Sequence, residues 1–206
     1  MIKIGALVSG GGTNLQAILD TIDKGGTDAE VTAVVSSKEG AYALERARAR
    51  GIENTVIRKK DFNAAGDYER ALVKYFKERN IDLIVLAGFM VVLGSEFINE
   101  FENRIINIHP ALIPSFCGKG YYGLRVHEAA LNAGVKITGA TVHFVTADCD
   151  AGPIILQKAV EVKDDDTPEI LQKRVMEQAE WVIYPEAVKL FAQNRLKIVD
   201  GIVKRV

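Results

Sequence analysis

Short apolar, β-branched runs alternate along this chain with longer stretches whose apolar positions recur at helical spacing. The runs KIGALVS (3–9), EVTAVVSS (30–37), NTVIR (54–58), DLIVLAG (82–88) and RIINIHP (104–110) predict strands. Between them, NLQAILDTIDK (14–24), AYALERARARG (41–51) and DYERALVKYFKERN (67–80) predict amphipathic helices. Strands joined through helices imply a parallel sheet covered by helices on both faces. The pattern changes after about residue 110. A Gly- and aromatic-rich loop, SFCGKGYYG (115–123), precedes a predicted helix, LRVHEAALNAG (124–134). ITGATVHFVT (137–146) and PIILQKAVEV (153–162) then alternate as half-exposed strands do. A long helix from about Thr167 to Ala192 follows, and LKIVDGIVKRV (196–206) closes as a hairpin. The predicted class is α/β, with a mostly parallel central sheet and an antiparallel C-terminal part.

Composition narrows this picture. At 206 residues, 48% hydrophobic and 26% charged, the chain can bury one substantial core, so a single domain over 1–206 is expected. No repeat, low-complexity segment or Pro/Gly/Ser linker interrupts it. The 26 basic and 27 acidic residues are well mixed and leave a net charge of -1. That balance gives no footprint for a nucleic acid or an anionic membrane, and it leaves room for a small anionic substrate. The opening run MIKIGALVSG is too short to span a membrane and no small-residue cleavage site ends it, so a cytoplasmic protein is expected. Cys117 and Cys149 lack paired-ligand spacing and read as free thiols.

Candidate chemistry begins at VSGGGTN (8–14), where the first strand gives way to the first helix. Gly10 and Gly12 supply two glycines of G-x-G-x-x-G, but Leu15 stands at the third position, and no Lys-Ser/Thr pair follows. Neither the dinucleotide fingerprint nor a Walker A loop is present. What remains is a run of exposed backbone N–H groups, with Thr13 as N-cap and Gln16 completing a T-x-x-Q capping box. Such a helix start suits an anion; a ligand-free connection is the competing reading.

Ligands of open α/β sheets lie outside the carboxyl ends of the strands. There, NIHP (107–110) presents Asn107 and His109 to one side, because residues two apart in a strand share a face. An amide donor beside an imidazole suits a carbonyl oxygen that becomes negative under attack, and the same pair could simply end the strand through local hydrogen bonds. In HFVTADCDAGPI (143–154), a strand bearing His143 runs into Asp148 and Asp150. A carboxylate brought beside His109 would fix its tautomer and favour its protonated form. Two such acids without matched ligands make a poor metal site, and solvated turn acids are the alternative.

Taken in order over nearly the whole chain, SGGGTNLQAI, VLAGFM, IINIHPALIPSF and GATVHFVTADCDAGPIILQ closely resemble the phosphoribosylglycinamide formyltransferases, the folate-dependent glycinamide ribonucleotide transformylases of purine synthesis. The resemblance implies a formyltransferase fold, with about 1–110 as a mononucleotide-binding half and about 111–206 as a folate-site and C-terminal half. It implies transfer of the formyl group of 10-formyltetrahydrofolate to the primary amine of glycinamide ribonucleotide, with no metal. The family's catalytic Asn, His and Asp fall on Asn107, His109 and Asp150. Its phosphate loop falls on Gly12, Thr13 and Asn14, and EQAEWVIYP makes Glu180 a further substrate residue. Folate contacts fall on Met90, Val92, Leu93 and Asn107, the first three through the main chain. His127 and His143 match histidines of the family pattern in supporting roles. The partners implied are the two small molecules alone, with no nucleic acid or membrane, and a monomer or homodimer.

Two departures stand out. Val91 occupies the position after AGFM where the family commonly carries a basic residue that helps hold the folate. The 115–123 loop is longer than in many relatives, and Lys119 within it reads either as an anion contact or as part of a mobile surface loop. A methionyl-tRNA formyltransferase would be expected to add a nucleic-acid-binding domain and a more basic surface. A formyltetrahydrofolate deformylase would be expected to carry a regulatory domain ahead of the core, whereas this chain opens on the first core strand. A noncatalytic nucleotide-binding module would use the glycine loop and leave Asn107, His109 and Asp150 without a joint role.

Overall fold

Five parallel strands organise the first of two compact units, Met1–Asn107, in a computed structural model that describes all 206 residues. They are β1 (Ile2–Val8), β2 (Ala29–Ser36), β3 (Glu53–Val56), β4 (Leu83–Ala87) and β5 (Ile105–His109), the last running on into the second unit. β1 pairs with both β2 and β4, and β3 and β5 pair outside these, giving the order β3-β2-β1-β4-β5. All five residues of β4 are buried, as a strand covered on both faces requires. The intervening helices are α1 (Thr13–Asp23), α2 (Tyr42–Arg48), α3 (Asp67–Lys77) and α4 (Ser95–Glu100). Right-handed crossovers in this order put α1 and α2 on one face and α3 and α4 on the other, and α1 packs beside α2 and α3 beside α4.

Helix α3 buries Tyr68, Leu72 and Phe76, one turn apart, which is the stripe its sequence predicts. Helix α4 was not predicted. Its six residues are too few to be stable alone, and it is held by packing, with the Phe97 and Phe101 rings tilted against one another at 5.0 Å and both meeting Phe76 edge-on.

The second unit, Ile108–Val206, contains α5 (Leu124–Asn132), β6 (Ile137–Phe144), β7 (Ile154–Glu161), α6 (Pro168–Val175), α7 (Trp181–Ala192), β8 (Leu196–Val199) and β9 (Ile202–Arg205). β6 and β7 are antiparallel and extend the sheet to seven strands after β5; β8 and β9 form a separate antiparallel hairpin. Thr167 caps α6, its hydroxyl accepting from the Ile170 N–H, and Pro168 occupies the first turn. The predicted long helix is present but widens into a π-turn over Met176–Glu180 between α6 and α7. Pro185, inside α7, has no N–H for the preceding turn.

One expectation is overturned here. β6 does not alternate between core and solvent: every residue after Ile137 is buried. Its polar members are accommodated by internal hydrogen bonds. The Thr141 hydroxyl donates to the Ala111 carbonyl (2.7 Å) and accepts from the Ile113 N–H (3.1 Å). Hydrogen-bonded hydroxyls can sit in a core that unpaired ones could not.

Candidate active site

In the first unit the strand order reverses between β1 and β4, and the loops leaving these two strands are tied together. The Ser9 hydroxyl shares a 2.6 Å hydrogen bond with Ser37 at the end of β2 and accepts from the Met90 N–H at 2.9 Å. The glycine loop therefore sits at the topological switch point. Gly12 adopts φ 68 and itself caps α1, and no side-chain cap forms. The predicted Thr13 to Gln16 capping box is absent, because the Gln16 side chain is engaged by Asp20 (2.5 Å) and Arg46 (2.7 Å). A Cβ on Gly12 would lie 2.6 Å from the Ala43 Cβ, so both the left-handed backbone and the approach of α2 demand glycine. Thr13 is partly exposed and Asn14 is buried beside it. After β4, Met90 and Val92 expose their side chains, whereas Leu93 is buried and can offer a ligand only its main chain.

Asn107 and His109 share strand β5, and His109 is its last residue. Within the second unit, His109 joins a buried polar cluster. Its Nε2–H donates to the Phe116 carbonyl at 2.8 Å, since a carbonyl only accepts; its Nδ1 lies 3.5 Å from Asp150 Oδ2. The other carboxylate oxygen of Asp150 lies 3.6 Å from His143 Nε2, and the His143 Nδ1–H donates to the Phe144 carbonyl at 2.8 Å. The Gly118 N–H donates to Asp150 Oδ2 at 2.9 Å. Asp148 is not part of this cluster and stands exposed in the turn.

Local backbone irregularities aim these groups. At the end of β6 the register slips, with Val142 opposite Leu156 but His143 opposite Ile154, so Ile155 is an extra residue. Asp150 itself has φ 55, and Gly152 lets the chain return: a Cβ there would lie 1.8 Å from the Phe144 oxygen. That return carries Asp150 back over the end of β6, where His143 stands.

Burial opposes ionisation of Asp150, but the His143 ring, the charge His109 can take up and the Gly118 N–H outweigh it and hold the carboxyl at about 2. For His109 the balance goes the other way. Burial lowers its pKa below the ordinary histidine value, and the opposing pull of Asp150 and the Phe116 carbonyl does not restore it. Asp150 does favour the protonated form of His109, as expected, but burial outweighs it, and a neutral ring with its Nε2–H remains a hydrogen-bond donor. His127, 1% exposed on α5, has both ring nitrogens without a hydrogen-bond partner, and burial together with His109 brings it to about 4. Glu180 is buried in the π-turn, an element that recurs at functional sites. Cys117 and Cys149 are free.

Sequence reasoning missed the main-chain partners of this cluster, Phe116 and Gly118, because backbone groups carry no sequence signal. It also missed Arg46, whose guanidinium reaches the glycine loop from α2.

A parallel α/β sheet with a glycine loop at its reversal point, and a strand ending in a buried imidazole–carboxylate pair, defines an α/β enzyme. Residues 2–188 match the formyl transferase family, and the chain belongs to that family. It is 39% identical over 202 residues to the phosphoribosylglycinamide formyltransferase of Haemophilus influenzae, covering 98% of this chain and 92% of that one. It is 41% identical over 197 residues to the trifunctional purine biosynthetic protein adenosine-3 of Gallus gallus, where it covers 96% of this chain and spans 19% of that longer protein. Among solved structures, glycinamide ribonucleotide transformylase 1 from Symbiobacterium toebii superposes with a TM-score of 0.94 at 44% identity, covering 100% of this chain and 94% of that one.

Proposed function

We propose that the protein transfers the formyl group of 10-formyltetrahydrofolate to the primary amine of glycinamide ribonucleotide, with residues 1–206 acting as one formyltransferase domain. The observation that carries this reading is the His109–Asp150 pair, with Nδ1 3.5 Å from Oδ2 and both side chains buried. It lies in a chain whose near-full-length relative bears that activity in its name.

The glycine loop at Gly12, Thr13 and Asn14 holds the phosphate of the ribonucleotide through backbone N–H groups and the start of α1. Glu180 engages the same substrate. Met90 and Val92 offer apolar surface, and the main chain through Leu93 offers hydrogen bonds, to the pterin of the formyl donor. The substrate amine attacks the formyl carbon, and the oxygen that becomes negative accepts hydrogen bonds from the Asn107 amide and the His109 Nε2–H. In the structure that Nε2–H is given to Phe116, so the 115–123 loop must release it before it can serve the substrate. Asp150 favours the imidazolium form of His109, in which Nδ1–H faces Oδ2 while Nε2–H serves the oxygen, and it helps order a water that carries the amine proton to the departing folate nitrogen. No side chain forms a covalent bond in this sequence of events, and the residues named require no metal.

The test is to incubate purified protein with both substrates and follow the products by mass. Formylated ribonucleotide is the expected product. Formate released without it would point to water as the acceptor, and saturable ribonucleotide binding with no turnover would point to a binding module.

A further inference from the structure

Three successive carbonyls of the glycine loop are already bonded. The Gly10 carbonyl accepts from the Ala43 N–H at 3.1 Å, the Gly11 carbonyl from Arg46 Nε at 2.8 Å, and the Gly12 carbonyl from the Gln16 N–H at 2.9 Å. In a planar trans peptide the N–H points opposite to the C=O. Anchoring these carbonyls therefore fixes the directions of the Gly11, Gly12 and Thr13 N–H groups, turning the first two away from α2. Two of the three anchors are backbone donors. The third, Arg46, is a side chain, and it serves the peptide whose N–H belongs to Gly12.

Arg46 is itself held in place. Its Nη1 donates to Gln16 Oε1 at 2.7 Å, Gln16 donates onward to Asp20, and the guanidinium lies over the Tyr42 ring at 4.9 Å. A guanidinium stays charged at any physiological pH and can satisfy two acceptors from one plane, which a lysine ammonium cannot do with the same geometry. Arg46 thus brings a fixed positive charge to within hydrogen-bond distance of the loop.

We propose that Arg46 is a positioning residue of the anion loop, aligning the Gly11–Gly12 peptide for the ribonucleotide phosphate and adding its charge to that site. This rests on the reading of the loop as the phosphate site.

The test compares wild type, Arg46→Lys and Arg46→Met in formyl transfer, with glycinamide ribonucleotide and with the matching nucleoside that lacks the phosphate. Arg46→Met should raise the KM for the ribonucleotide roughly tenfold to a hundredfold while the KM for the formyl donor stays within about twofold. Arg46→Lys, which keeps charge but not the planar fork, should recover only part of that loss. With the dephosphorylated nucleoside, wild type and Arg46→Met should perform alike, an outcome that general loosening of the fold would not produce. An unchanged ribonucleotide KM in a folded Arg46→Met variant, or an equal loss with the nucleoside, would overturn the role of Arg46. A wild type that does not distinguish ribonucleotide from nucleoside would overturn the phosphate reading itself, and this inference with it.

Discussion

In the proposed mechanism His109 and Asp150 act through one another, so their substitutions should not behave independently. His109→Ala removes a donor to the developing oxyanion and should lower turnover by about two or more orders of magnitude. Asp150→Asn keeps the shape of the side chain while removing the charge that faces His109 Nδ1 and His143 Nε2. Turnover should fall much more than substrate binding. The double variant should lose much less than the product of the two single losses, as residues working as a unit do. Formyl-transfer rates of all four proteins, with folding checked by circular dichroism, measure this coupling; strictly multiplicative losses would contradict it.

At the scale of the element, the glycine loop separates two demands that the sequence alone runs together. Gly10 meets nothing within 4 Å of an added Cβ, whereas Gly12 has φ 68 and would press on Ala43. Gly10→Ala should leave stability nearly unchanged. Gly12→Ala should cost about 1–3 kcal/mol and displace the start of α1. Urea unfolding of the two variants makes the comparison, and equal losses would show that the approach of α2 does not constrain the loop. The cap of α6 gives a second test: Thr167→Ala should destabilise by about 1 kcal/mol, because it removes the acceptor of the Ile170 N–H. Thermal unfolding of that variant at neutral pH reads the loss directly.

For the whole molecule, the buried titratable groups set how stability responds to acid. His127 titrates near 4 in the folded protein against an ordinary 6.5. Between these values the unfolded chain binds a proton that the native state refuses, so stability falls as pH drops through this window, by about 3 kcal/mol in all. Asp150, held at about 2 from an ordinary 3.8, contributes stability above the latter value that is lost as pH falls through the former. Urea unfolding at pH 7 and pH 4.5 should therefore show His127→Phe losing less stability than wild type over that interval, and identical losses would contradict the assignment. No helix is long and apolar enough to cross a membrane.

Periodicity alone determined most of the elements, because burial on one face or both imprints a period on the residues whatever else surrounds them. The β4 run LIVLA and the α3 stripe Tyr68, Leu72 and Phe76 are of this kind. Asn107, His109 and Asp150 could be named from sequence only through the motifs that resemble the family's, because spacing alone left strand-ending hydrogen bonds and solvated turn acids as alternatives. Tertiary structure decided the rest. Helix α4 exists only through the packing of Phe97 and Phe101, and β6 stays buried despite its threonines because Ala111 and Ile113 meet the hydroxyl of Thr141. The partners of Asp150 depend on a one-residue slip in β7 and on the Gly152 return, neither of which has a period to read. Whether His109 carries a proton also lies beyond spacing: the cost of burying its charge and the attraction of Asp150 oppose one another, and only the three-dimensional surroundings set which is larger.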